Sequence, residues 1–317
     1  MKIIAELCQN HNGDFALLKE MVYAAKEAGA DYAKIQNMFA DILSRRDRFE
    51  TGLIVEDTVK TIKRPYQLEY ERLKKLEISY EQQAEFIELC NKVAIKPLTT
   101  AFDRVSIPRL KEIGFRDIKI ASYDCSSLPL IKDVKNHFAK VFLSTGASYD
   151  GEIKAAAEVL KGHDFALLHC VTIYPTPLNE FHLARMEYLK QFSPSVGWSD
   201  HSLVKRDGIM GTIASIYYGA DVIERHFTIL DSDQTKDGPV SITPKHIKEL
   251  KDISCLSKNE IKEYLKDHCP DYEQTWGVAT RKLSNDELLN RDYYRGRFIN
   301  KNKDGRTTWN WDENDLI

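Results

Sequence analysis

The sequence predicts a (β/α)8 barrel with a short C-terminal extension, and three observations predict it. Short apolar runs of strand length alternate with longer stretches of helical periodicity, and eight such pairs fit into about 260 residues, the size of this fold. Polar side chains stand at the C-terminal end of nearly every run, where such a barrel opens its mouth. The first turn, Asn10-His11-Asn12-Gly13-Asp14, lacks the glycine spacing of an open doubly wound sheet. The expected division is a barrel over 1–268 and an extension over 269–317.

Residues 3–8 read as the first strand and 14–28 as its helix, stopped by Gly29. The second strand is 31–36, followed by a polar insertion over about 41–71 and a helix over 80–93. From there the rhythm is regular, with strands at 96–101, 117–122, 140–145, 165–170, 196–201 and 221–227. Their helices fall at 105–113, 128–138, 151–160, near 181–192, at 208–218 and from 244 to about 265.

A hydrophobic content of 43% and a charged content of 29% are those of a globular, soluble chain. The formal net charge of −3 gives no general pull toward nucleic acid or an anionic membrane, so any basic site must be local. The first residues lack the pattern of a signal peptide, and no apolar stretch is long enough to span a bilayer. Six scattered cysteines with no Cys-x-x-Cys pair fit reduced thiols, and a cytoplasmic location is expected.

Alternate residues of a barrel strand point inward, which sorts the strand-end groups. Glu6 ends the first strand, with Asn10, His11 and Asn12 beyond it. Lys34 and Gln36 share a face of the second, Thr100 ends the third, and Lys119, Ser122 and Asp124 end the fourth. Ser144 precedes Gly146 on the fifth, and the sixth runs through His169 into Thr172-Ile173-Tyr174-Pro175. Ser199 and His201 share a face of the seventh, as do Glu224 and His226 on the eighth. A strand-end hydroxyl ordinarily just satisfies loop backbone. The two histidines at matching ends of neighbouring strands suit one shared divalent metal better than two separate core positions.

An inward lysine must desolvate its ammonium, at a cost of several kcal/mol unless an anion pairs with it. Lys34 and Lys119 are therefore either structural ion pairs with Glu6 or Asp124, or a cradle for a small anion carrying phosphate and carboxylate. The insertion holds Arg45, Arg46, Arg48, Lys60, Lys63 and Arg64, which suit either a solvated basic loop or a mobile lid steering an anion.

Several of these stretches together resemble the sialic acid synthase family over about residues 2–255. They are Ala5-Glu6 through Asn10-His11-Asn12-Gly13-Asp14, Ala33-Lys34-Ile35-Gln36, Lys119-Ile120-Ala121-Ser122 and Leu143-Ser144-Thr145-Gly146. Leu168-His169-Cys170 with Tyr174-Pro175-Thr176-Pro177, Ser199-Asp200-His201 and Ile223-Glu224-Arg225-His226-Phe227-Thr228 complete the set. The resemblance implies a TIM barrel that condenses phosphoenolpyruvate (PEP) with an acylamino-hexose to give a nonulosonic acid and phosphate. It implies Mn²⁺ or Mg²⁺ on His201 and His226. Lys34, Thr100, Lys119, Ser122, Ser144 and Ser199 match positions that hold PEP, and Gln36, Thr172, Tyr174 and Asp237 match the sugar side. Glu6 matches an acid beside PEP, and Asp124 one that orients water near the metal. The polarised aldehyde of the open-chain sugar is then attacked by C3 of PEP, water adds at C2, and phosphate leaves.

The chain departs from that family at named places. Thr172 stands where the family's sialic acid enzymes carry asparagine, Ala101 replaces a proline, and Asp124 is a shorter acid than some members have. Residues 291–317, with Trp309 and Trp311, resemble only the beginning of the family's antifreeze-like domain, without the arginine that reaches into a partner's active site. A homodimer in which this tail or the Arg45–Arg48 loop supplies that charge is the expected arrangement, with Arg297 and Arg46 as the positions to probe. Two other functions stay open at this level: a non-catalytic barrel that binds a sugar acid or partners an active paralogue, and a metal-dependent aldolase using pyruvate.

Overall fold

The computed structural model describes residues 1–302 and 305–313. Eight parallel strands close into a barrel in sequence order: β1 (Lys2–Glu6), β2 (Tyr32–Asn37), β3 (Lys96–Ala101) and β4 (Asp117–Ile120), then β5 (Lys140–Ser144), β6 (Asp164–Cys170), β7 (Val196–Asp200) and β8 (Val222–His226). Pairing of β8 with β1 shuts the ring and sets His226 opposite Glu6.

Strand periodicity explains how one barrel holds both a core and a site. Ile4, Tyr32, Leu98, Phe142, Leu168 and Val222 form an apolar plug inside the ring. Two residues further along, the same strands present Glu6, Lys34, Thr100, Ser144, Cys170 and Glu224 to the mouth. The outward alternates, such as Ile3, Ile35, Ile118, Leu143 and Ile223, pack beneath the helices in the main core. The first helix, Phe15–Ala28, starts where Asp14 accepts from the amides of Ala16 and Leu17 and stops at left-handed Gly29 (φ 97°).

The expected elements differ from the structure in three places. The helix near 181–192 is only Arg185–Leu189. The helix expected from 244 to 265 is two, Pro244–Ser254 and Lys258–His268, because Ser257 and Glu260 form a capping box that starts a new helix. The 41–71 insertion is folded rather than a bare loop: a turn of helix at Arg48–Thr51, a hairpin of Leu53–Val55 with Thr58–Thr61, and a helix at Tyr66–Lys74.

The extension folds back over the same end of the barrel. A Ser284–Glu287 capping box starts a helix at Asn285–Tyr294, followed by a small antiparallel pair, Asn300–Lys301 with Thr307–Thr308. Phe298 bridges to Leu43 of the insertion, and together with Met38, Ala40 and Leu73 they form a third apolar cluster, above the mouth. The remaining residues of the extension, 303–304 and 314–317, lie outside the described residues.

On the outer side of β7 and β8, Asp200 and Arg225 make a fully buried ion pair at 2.6 Å. Arg225 also donates to the Ser202 hydroxyl (2.9 Å) and to the carbonyls of Ser202 and Val240. One guanidinium thus ties together the loops that follow β7 and β8. Asp200→Ala strands that charge in the core and is expected to cost about 3–5 kcal/mol, read by urea unfolding; Asp200→Asn, which keeps an acceptor, should cost less.

Candidate active site

A chamber of about 110 Å³ opens at the C-terminal ends of the strands. Its floor is a ring of alternating charge. Lys34 is in contact with Glu6 on the adjacent strand and lies 3.7 Å from Glu224. Lys119 Nζ donates to both oxygens of Glu224 (2.7 and 2.8 Å), and Ser199 Oγ donates to Oε1 (2.9 Å). Lys34 Nζ also donates to Thr100 Oγ1 at 3.1 Å.

The lysines are therefore ion-paired in the free protein, with Glu6 as expected but with Glu224 in place of Asp124. Sequence reasoning put Glu224 on the inward face and gave it no role. Its signal was there, since two desolvated lysines need two acids and Glu6 supplies one. Burial pushes the Lys34 ammonium down to about 7, and Glu224 pulls it back up. Burial opposes the Glu224 carboxylate too, but Lys119 and Lys34 outweigh it and hold its pKa well below the usual range.

His201 and His226 face each other across the chamber, their ring centroids 5.2 Å apart. Burial depresses the pKa of both, so both imidazoles are neutral near pH 7. Their surroundings differ from those of a core histidine such as His169, whose Nε2 lies 2.7 Å from the Phe181 carbonyl oxygen behind the barrel wall. His226 Nδ1 is buried without a hydrogen-bond partner and lies 3.9 Å from Asp237 Oδ2. Ligand atoms of Cys8, His226 and Asp237 all lie within 4.8 Å of one another. The neutral His226 imidazole, with its orphaned ring nitrogen, and the Asp237 carboxylate form a donor set that fits a divalent cation, and His201 faces it from outside that cluster. Tyr174 packs its ring edge-on against His201 at 4.2 Å and is half exposed at the rim.

Gln36, Ser122, Ser144 and Tyr174 complete the chamber wall among the expected residues. Gln36 Nε2 donates to Cys8 Sγ (3.2 Å), which itself donates to Asp237 (3.1 Å). Ser122 Oγ accepts from the Gly146 amide at 3.1 Å. A Cβ at Gly146 would come within 2.7 Å of Thr172 Cγ2 and 3.0 Å of Ser122 Oγ, so only glycine lets these loops meet.

Three expected residues do not line the chamber. Asp237 stands beside His226. Thr172 is buried behind Gly146, so its loop rather than its side chain borders the site. Asp124 faces a neighbouring cavity of about 30 Å³, separated from the chamber by Phe102, Ala121 and Tyr123, which line both.

The first turn is scaffolding. Asn10 donates to the Phe227 carbonyl and to Ser241 and accepts from Thr235, which clamps the loop after β1 to the loop after β8. Arg46 is likewise neither a lid charge nor a loop side chain in water. It donates to the carbonyls of Tyr293 (2.6 Å) and Arg295 (3.1 Å), and burial pushes its pKa down to about 10.

Comparison with known proteins agrees with the barrel fold. The family model described as the NeuB family matches residues 21–262. N,N'-diacetyllegionaminic acid synthase of Campylobacter jejuni is 35% identical over 94% of this chain and 84% of its own. The enzyme of the same name from Legionella pneumophila is 33% identical over 94% and 83%. Among solved structures, the N-acetylneuraminic acid synthetase of Leptospira borgpetersenii, crystallised with citrate, superposes with a TM-score of 0.68 at 26% identity, covering 92% of this chain and 90% of that one.

Because Lys34 gives up its proton near pH 7, binding of inorganic phosphate, followed by calorimetry, should weaken as the pH rises through about 7. Glu224→Gln removes the anion that draws the Lys34 pKa upward, so the same loss should set in at lower pH.

Proposed function

The chain belongs to the NeuB family, and on that premise we propose that it condenses phosphoenolpyruvate with an N-acetylhexosamine-type sugar, giving a sialic-type nonulosonic acid and phosphate. The observation that carries this reading is the paired-lysine floor lying directly beside two neutral histidines. An aldolase acting on pyruvate has no phosphate to hold, and a passive sugar-binding barrel needs neither feature.

In this mechanism Lys34 and Lys119 exchange Glu6 and Glu224 for the phosphate and carboxylate of PEP, helped by the hydroxyls of Thr100, Ser122, Ser144 and Ser199. The exchange keeps both ammonium groups paired throughout, and it frees the Glu6 and Glu224 carboxylates for other donors in the chamber. His201 and His226, with Asp237 close by, would hold Mn²⁺ or Mg²⁺. When bound, that ion supplies Lewis-acid polarisation of the sugar's aldehyde oxygen. Gln36, Tyr174, Asp237 and the Thr172 loop orient the acceptor so that its aldehyde carbon meets C3 of PEP. Glu6, released from Lys34, positions the water that adds at C2 before phosphate departs, and Asp124, in its own cavity behind Phe102, Ala121 and Tyr123, bears on that water through the Tyr123 turn rather than by contact.

The substrates are small molecules, and no helix among the described residues is long and apolar enough to cross a membrane. A cytoplasmic homodimer is the assembly we propose, on the family resemblance.

Phosphate release from PEP should require both a divalent ion and an added N-acetylated hexosamine, and should disappear on dialysis against a chelator and return with Mn²⁺. Release without acceptor, turnover of pyruvate without phosphate loss, or binding without turnover would each replace this reading. Lys119→Ala should lower kcat/KM for PEP by about a hundredfold or more, and His226→Ala should abolish the response to added Mn²⁺.

A further inference from the structure

One wall of the small cavity beside the chamber is made by this chain's own C-terminal segment, through Tyr294, Arg297, Phe298 and Asn310. Asn310 Nδ2 donates to Asp124 Oδ1 (3.0 Å) and to the Phe102 carbonyl (2.9 Å), across 186 and 208 residues of sequence. Asn290 Nδ2 donates to the Thr172 carbonyl at 2.7 Å. The Tyr294 ring stacks on Tyr123, the residue beside Asp124, with centroids 4.9 Å apart and planes 18° from parallel. The helix bearing Asn290 and Tyr294 is itself anchored, since Arg291 donates to the Ala147 carbonyl (2.6 Å) and to Glu152 (3.0 Å). The segment thus holds the loops after β3, β4 and β6 at once.

We propose that residues 290–302 and 305–310 form the acceptor-side wall of the active site in cis, with Asn310 positioning the Asp124 carboxylate and Asn290 positioning the loop that carries Thr172 and Tyr174. The inference rests on the function proposed above and extends it, because it names the part of the chain that shapes the acceptor subsite. Two donors reach the Asp124 carboxylate among the described residues, Ser127 (2.8 Å) from its own turn and Asn310 from the wall. Asp103, Arg295 and Arg297 are the charged groups around it. Burial pushes the Asp124 pKa up, while Asn310, Ser127 and Arg295 restrain it, so losing the Asn310 amide should raise it further. Asn290 acts differently. It fixes a backbone carbonyl, so its loss should loosen a loop without altering any charge.

The test uses full-length Asn310→Ala, Asn310→Asp and Asn290→Ala, with thermal melting checked first. PEP affinity by calorimetry should stay at the wild-type value, because the barrel floor does not touch the wall. Asn290→Ala should raise the acceptor KM about ten- to hundredfold, and Asn310→Ala should move the acid limb of kcat to higher pH. Asn310→Asp, which sets a second carboxylate against Asp124, should move it further. Mixing Lys34→Ala with Asn310→Ala should restore no activity, since each chain needs its own wall. Unchanged acceptor KM and acid limb in normally melting variants, or recovery on mixing, would overturn the proposal. If the wild-type chain releases no phosphate, the proposed function fails on its own, and deuterium uptake decides the wall. Faster exchange at 121–127 in Asn310→Ala and at 171–174 in Asn290→Ala supports it, and unchanged exchange rejects it.

Discussion

Four buried charges, Glu6, Lys34, Glu224 and Lys119, sit immediately above the apolar plug of the barrel, and the rest of the site is arranged around keeping them paired. None could stand alone there, because removing one partner of a buried pair costs about 3–5 kcal/mol. Together they sum to zero charge, so the ring is stable without ligand and can open only for something that pairs with the lysines equally well. A phosphate and a carboxylate on one small molecule meet that condition. On the proposed reading, specificity for the first substrate follows from the same interaction that lets the barrel fold.

Above that ring the structure adds a second storey that the barrel itself does not require. The insertion after β2 and the C-terminal extension meet over the mouth, joined by the Leu43–Phe298 bridge, by Arg46 on the Tyr293 and Arg295 carbonyls, and by Arg297 on Glu69. The arginines that look like free positive charge in the sequence are largely spent on this joint. What the roof presents to the loops around the chamber is mostly uncharged: Asn310 on Asp124, Asn290 on the Thr172 carbonyl and Tyr294 on Tyr123.

The two layers divide the chemistry. Chamber-floor residues come from strands, where the hydrogen-bonded register leaves little freedom, and they suit the substrate and ion common to a reaction class. On the proposed reading the acceptor side takes Gln36 from β2, and its other residues, Thr172, Tyr174 and Asp237, from loops, which tolerate change. Thr172 illustrates the point: its side chain is buried against Gly146, and its carbonyl, held by Asn290, is what borders the wall. The difference from asparagine at this position therefore acts through loop packing rather than through direct contact in the free protein.

The amino-acid sequence by itself determined the barrel, because eight period-two strands alternate with period-3.6 helices, polar groups stand at the strand ends, and the first turn lacks the glycines of a doubly wound sheet. It also determined the inward face of each strand, and hence Glu6, Lys34, Thr100, Lys119, Ser199, His201 and His226, since strand parity is a local property. Only the tertiary structure decided the partners. Glu224 belongs to Lys119 although 105 residues separate them, and Asp124, four residues past the end of β4, turns away into its own cavity against Asn310. The fate of the insertion and the extension was also undecidable from sequence, because each buries its apolar residues against the other and neither carries a complete core pattern alone. Local periodicity states which way a side chain points; what it meets there is set by chain closure over long distances, which no short window of sequence contains.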